Sequence, residues 1–176
     1  MKLYESADRG VLEKWAFDFP PAKITLCRLE TGEELQETSL VAAKVKRTGD
    51  DGEAWIIEKY LSAGKAALAY GNTPDTAVFS PLRRGLVANY EGTVYLFRDF
   101  LRRLRPGLRF PKPVLCLRMQ KQTTDVERIA LIDAGLQAGA GKVFLYRESL
   151  PTLRECERKE LRRAFAIHIE TGEERE

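Results

Sequence analysis

Histidine occurs once in the 176 residues, at His168, and cysteine three times, at Cys27, Cys116 and Cys156. A lone imidazole leaves His168 without a partner that would make it a metal ligand or a catalytic base. The cysteines are odd in number and widely separated, and two sit in the apolar runs Ile24-Thr25-Leu26-Cys27 and Val114-Leu115-Cys116-Leu117. They read as buried, reduced thiols, so neither a metal nor a disulfide frame is expected. No apolar run reaches the ~18 residues of a membrane-spanning helix. The opening residues, Met1-Lys2-Leu3-Tyr4-Glu5, lack the apolar core of a signal peptide, and a cytoplasmic location is expected. Charge of one sign is scarce too: 29 Lys+Arg against 26 Asp+Glu leave a net charge of +3. That bias is too weak to call for nucleic acid.

What remains is an ordinary globular composition, 44% hydrophobic and 31% charged. The length suits one domain, at most with an inserted subdomain. Strands are predicted at 14–19 and 23–29, separated by Pro20-Pro21, and at 40–45 after a turn at 30–33, together forming an antiparallel meander. A loop over 47–53, a short strand at 54–57 and a small helix at 61–69 follow. Residues 93–104 have the apolar spacing of an amphipathic helix, stopped by Pro106-Gly107. A strand is predicted at 114–117 and a charged terminal helix at 153–169.

The tract 124–148 is the most telling. Thr124 followed by Glu127 is a capping box, each side chain satisfying a backbone N–H that the first helical turn leaves unpaired. Val126, Ile129, Ala130 and Leu136 are spaced to share one helical face. Gly139 and Gly141 offer a left-handed stop. Lys142-Val143-Phe144-Leu145-Tyr146 then reads as a strand of a parallel sheet, which puts Glu148 at its carboxyl end, where open α/β sheets hold their ligands.

From about residue 63 to 153 the chain resembles the MreB family of bacterial actin-like proteins. The matching runs include Asn72-Thr73-Pro74, Ser80-Pro81-Leu82-Arg83-Arg84-Gly85-Leu86-Val87-Ala88-Asn89-Tyr90 and Thr124-Asp125-Val126-Glu127-Arg128. The last continues through Asp133-Ala134-Gly135-Leu136-Gln137-Ala138-Gly139-Ala140 to Lys142-Val143-Phe144-Leu145. Residues 17–45 are more faintly similar. The resemblance implies an α/β fold, the ribonuclease-H-like lobe of an actin-like ATPase. Its mixed five-stranded sheet would carry helices on both faces, with residues 46–80 as a small inserted subdomain and 153–169 packed on the lobe as a helix.

The chemistry of the resemblance is broken in two places. The family's first phosphate loop runs Asp-x-Gly-Thr, because glycine lets backbone N–H groups approach a phosphate. Here the corresponding residues are Asp18-Phe19-Pro20-Pro21, and proline has no N–H to give. The family's second glycine-rich loop follows its catalytic glutamate, whereas after Glu148 this chain has Gly172 alone, and Ser149 replaces the usual proline. Asp18 and Glu148 are therefore vestigial positions, and no catalysis and no cofactor are expected. An ATPase holding ATP and Mg, completed by a second lobe from another chain, is the alternative. Ser62-Ala63-Gly64-Lys65-Ala66 fails as a P-loop, because Lys59 stands where its first glycine belongs and Ala66 replaces the magnesium-binding hydroxyl. A carboxylate nuclease fails as well, since residues 115–119 supply no acid.

Binding is what is left. Residues 104–112 sit where MreB proteins carry a membrane loop, and Leu108 and Phe110 alternate with Arg105, Arg109 and Lys112. Apolar tips among cations suit an anionic bilayer surface, and a turn packed back on the core is the equal alternative. The mixed charges of the terminal helix read as a solvated, self-paired face. The expected function is to bind or modulate an actin-like filament or the cell-shape machinery, or to self-associate, at or near the inner face of the membrane.

Overall fold

The computed structural model describes residues 11–13, 21–48, 54–104, 112–118, 123–146 and 164–170. In chain order these form β1 (Val11–Glu13), β2 (Lys23–Arg28), β3 (Glu33–Thr38), β4 (Val41–Thr48) and β5 (Ala54–Ala63), then a 3-10 helix (Gly64–Tyr70). β6 (Thr76–Phe79), β7 (Leu82–Arg83), β8 (Leu86–Val87) and α1 (Tyr90–Leu104) follow, and then β9 (Val114–Arg118), α2 (Asp125–Gln137), β10 (Lys142–Tyr146) and β11 (Ala164–Glu170).

One mixed sheet runs in the order β10-β9-β11-β2-β3, and a second, antiparallel sheet in the order β1-β5-β4-β6. In the mixed sheet β10 and β11 both run parallel to β9, while β2 is antiparallel to its neighbours. Alternation along the strands divides the two faces. Ile24, Leu26, Leu115, Leu117, Phe165 and Ile167 join the main core with Phe97 and Phe100 of α1 and Leu131 and Ala134 of α2. Cys116, Ala166 and Tyr146 form a smaller cluster with Cys27 and Phe144. Both described helices therefore belong to one face. The residues expected to cover the other, up to 163, lie outside the described part.

Helix ends follow local chemistry. The Asn89 side chain accepts from the Gly92 N–H at 2.7 Å and opens α1. At α2 the predicted capping box is present in both directions, with Glu127 N–H donating to Thr124 Oγ1 at 3.4 Å and Thr124 N–H to Glu127 Oε2 at 2.8 Å. Gly139, at φ +116°, ends the helix as expected. Gly141 is needed for a different reason: a Cβ there would stand 2.9 Å from the Lys112 Cβ.

Four expectations are corrected. Residues 164–170 are the central strand of the sheet and not the end of a helix. Phe165 and Ile169 fit a helical stripe with Leu161, but Ile167 falls between them at the period of two that a strand requires. The meander is also revised. The position beside β2 is held by β11, the sheet's outer strand is β3, and β4 belongs to the other sheet. The expected strand at 14–19 lies outside the described residues. β3 has the sequence Glu-Glu-Leu-Gln-Glu-Thr and escapes any apolar periodicity, because an edge strand can stay polar on both faces.

The third correction concerns the insertion. The second sheet starts at Val41 rather than 46 and includes β1. Val41, Ala43, Val45, Ala77 and Phe79 share the main core with Ile24 and Leu115. The fourth concerns α2. Its buried side is made of small residues with one leucine among them, Ala130, Leu131, Ala134 and Gly135. A Cβ on Gly135 would come within 2.8 Å of Val143, so the helix lies too close to the sheet for a larger group there. Val126, Ile129 and Leu136 consequently turn outward.

Candidate functional surface

The carboxyl ends of β9, β10 and β11 open on one edge of the sheet, because the three strands are mutually parallel. That edge is where ligands of open α/β sheets sit. Glu148 follows the end of β10 closely, but it lies outside the described residues, as does Asp18. Pro21 and Ala22 are described. The Ala22 N–H, the first donor after the two prolines, already serves the Ser39 hydroxyl at 3.1 Å. Neither Pro20 nor Pro21 has a backbone N–H to offer, and that of Ala22 is engaged within the fold.

Among the described residues no group of three His, Cys, Asp or Glu side chains gathers to hold a metal. Cys27 and Cys116 are not joined in a disulfide, and burial followed by the nearby Glu34 pushes the Cys27 thiol above its ordinary value. His168 lies in β11 opposite Thr25. Of the proposed membrane loop only Leu104 and Lys112 are described, and Lys112 is exposed. Arg105, Leu108, Arg109 and Phe110 fall outside. No described helix is long and apolar enough to cross a membrane.

Two arrangements escaped the sequence reading. The first is a charged clip. Glu37 of β3 is 8% exposed, and its carboxylate accepts from the Lys65 N–H at 2.8 Å and the Thr38 N–H at 3.2 Å while pairing with Arg103. Arg103 in turn holds Asp99 at 2.8 Å and lies over the Phe100 ring. One carboxylate so joins the edge of the mixed sheet, the end of α1 and the start of the 3-10 helix. No sequence signal marked it, because residues 33–38 carry no apolar periodicity.

The second is the outward side of α2. Val126 is 58% exposed, Ile129 55% and Leu136 42%, with Ile132 half-buried alongside them. At spacings of three and four these make one apolar stripe on the side of the helix turned away from the sheet. Asp125, Glu127, Arg128 and Asp133 border it. Arg98 of α1 donates to the Gln137 carbonyl at 3.1 Å and fixes the far end of the helix.

The profile of the MreB/Mbl protein family matches residues 13–152. The cell shape-determining protein MreB of Haemophilus influenzae is 29% identical over 119 residues, which cover 66% of this chain and 32% of that protein. The corresponding protein of Pasteurella multocida is 27% identical over the same coverage. The chain thus spans about a third of the length of the curated relatives it matches. Among solved structures, MreB5 of Spiroplasma citri bound to AMPPNP aligns with a TM-score of 0.54 at 23% identity, over 72% of this chain and 35% of that one. The same protein bound to ADP aligns at 0.50, with 22% identity over 67% and 33%. These likenesses show the fold.

Proposed function

The chain belongs to the MreB/Mbl family, and from that membership we propose that it is a non-catalytic, single-lobe member that docks on an actin-like filament or on a second copy of itself. The outward stripe of α2 carries this reading. Three large apolar side chains, each more than two-fifths exposed on one rigid, well-capped helix, form the kind of contiguous patch that marks a protein contact. The acids and the arginine around it supply a polar rim. Modulating cell shape through such docking is the role that fits, since the relatives it matches are named as cell shape-determining proteins.

The loss of catalysis rests on the loop at Asp18-Phe19-Pro20-Pro21, where the two prolines and the engaged Ala22 N–H withhold the donors a phosphate needs. The second reading, an ATPase completed by another chain, has in its favour that MreB5 of Spiroplasma citri was solved with both ADP and AMPPNP. Titration calorimetry with Mg-ATP separates the two, because saturable micromolar binding would sink the non-catalytic reading. Docking is tested by co-pelleting with polymerised MreB against an unrelated control protein, and by sedimentation of the chain alone. Val126→Glu with Ile129→Glu should abolish whichever association is seen. Association that survives both charges would remove α2 as the docking face.

We place the protein in the cytoplasm, with Leu108 and Phe110 touching the inner face of the membrane between Arg105, Arg109 and Lys112. Liposome co-sedimentation that is unchanged by Leu108→Ser with Phe110→Ser would remove that contact.

A further inference from the structure

Among the described residues β3 is an outer strand of the mixed sheet and meets β2 on one side only. Which of its backbone groups that pairing uses follows from the alternation of an antiparallel ladder. The Ser39 N–H donates to the Ala22 carbonyl at 2.9 Å, and across β2 the Leu29 N–H donates to the Ala164 carbonyl at 3.0 Å. From Ala22 to Arg28 the even-numbered residues therefore turn their amides towards β3 and the odd-numbered ones towards β11. In β3 the odd-numbered residues answer them, and the backbone groups of Glu34, Gln36 and Thr38 point outward. Thr38 closes its own, since its N–H donates to the Glu37 carboxylate at 3.2 Å and its carbonyl accepts from the Leu40 N–H at 2.8 Å. Glu34 and Gln36 each keep an outward donor and acceptor, on a stretch where residues 33–36 are all exposed.

An edge of this kind is a template on which an extended segment adds one more strand. Thr38 limits its length at one end. At the other, the Gly32 N–H turns back to the Arg28 carbonyl at 2.8 Å. The side chains between these limits select the occupant. Leu35 stands opposite Leu26 on the core-facing side, while Glu34 stands opposite Cys27 and Gln36 opposite Thr25 on the other. An antiparallel segment meets Gln36, Leu35, Glu34 and Glu33 in turn, so a polar, an apolar and two cationic residues match it. A second copy of β3 does not. Two such edges would bring the Glu33 and Glu34 carboxylates of both chains alongside one another, and like charges across a strand pair are destabilising.

We propose that the outer edge of β3 is a strand-addition site for a basic, extended segment of a partner protein, bound antiparallel through the backbone of Glu34 and Gln36. The probe is a fluorescein-labelled peptide, Ser-Thr-Val-Lys-Arg-Ser, titrated with the full chain and followed by fluorescence anisotropy. Saturable binding is expected. N-methylation of the Thr and Lys nitrogens, which face Gln36 and Glu34, should weaken it by at least about tenfold, because each methyl removes a hydrogen bond and blocks the approach of the strands. N-methylation of the Val nitrogen, which points away from β3, should leave it unchanged. Gln36→Pro should abolish binding in a chain that still melts cooperatively, since the Gln36 N–H takes no part in the ladder with β2. Glu34→Lys should shift the preference to a peptide with Glu in place of Lys. The absence of saturable binding, or an affinity indifferent to which nitrogens carry methyl groups, would overturn the proposal, the latter leaving charge attraction alone. Sedimentation showing the chain paired with itself through this edge, and released by Gln36→Pro, would overturn it in favour of a second copy.

Discussion

Glu37→Ala should destabilise the fold by ~2–3 kcal/mol, a value bracketed by two known costs. Hydrogen bonds to a charged group are worth about 1.5–3 kcal/mol, and removing one partner of a buried ion pair costs about 3–5 kcal/mol. The upper figure applies when the surviving charge is stranded. Arg103 is not stranded, since its side chain is 33% exposed and keeps Asp99 at 2.8 Å. What is lost is the acceptor for the Lys65 and Thr38 N–H groups and the link from β3 to α1. Urea denaturation of the single variants, Arg103→Met and the double variant gives a cycle, in which a coupling of about 1–2 kcal/mol is expected between contacting groups. The cycle has an internal check. A side chain on Gly64 would run into the Glu37 carboxylate, so Gly64→Ala should cost less once Glu37 is gone. Some cost must remain, because Gly64 sits at φ +71° in the left-handed region. A Glu37→Ala penalty under about 0.5 kcal/mol, the size of an ordinary surface change, would refute the clip.

Thr124→Ala removes one half of a capping box whose two hydrogen bonds are both formed, and should lower thermal stability by about 1 kcal/mol without changing the fold. Tyr146 gives a pH-dependent signature. Burial pushes its phenol from 10.0 up to about 12, with Arg118 nearby working the other way. The folded state therefore keeps a proton that the unfolded chain releases. This contribution is whole below pH 10 and is lost as pH rises towards 12, at up to about 1.4 kcal/mol per pH unit. Tyr146→Phe should flatten that part of the alkaline loss when urea midpoints at about pH 8 and about pH 11 are compared. Tyr60 and Tyr95, whose phenols burial also raises, and the Cys27 thiol act in the same direction. At neutral pH the same change should be neutral or stabilising by up to about 1 kcal/mol, since the hydroxyl has no hydrogen-bond partner among the described residues.

Local chemistry was legible in the sequence wherever a short stretch determines its own shape. The capping box at Thr124, the stop at Gly139, the apolar run of β10 and the amphipathic spacing of α1 all depend on residues within a few positions of each other. The readings that failed needed information from far along the chain. β3 is polar because it is an edge, which only its neighbours define. Val126, Ile129 and Leu136 face outward because Gly135 meets Val143 across the helix–sheet contact, and spacing alone cannot say which side of a helix is buried. Leu161, Phe165 and Ile169 satisfy a helical period, yet two open strand edges at β2 and β9 claim Phe165 and Ile169 for a ladder. Glu37 looked like one more surface acid until Arg103 and Lys65 were brought to it.

The order in which the mixed sheet is synthesised differs from the order in which its strands lie. β11 stands at its middle, yet it follows β2, β3, β9 and β10 along the chain, and Arg28 must wait for Phe165. At translation speeds of about 5–20 residues per second that wait is on the order of ten seconds, during which β2, and in the last part β9 as well, presents an unpaired, apolar edge. Such pairings over long sequence distances close slowly. The nascent chain is therefore a client for holding chaperones over that interval, and yield in cells should depend on their supply more steeply than the stability of the finished fold would suggest.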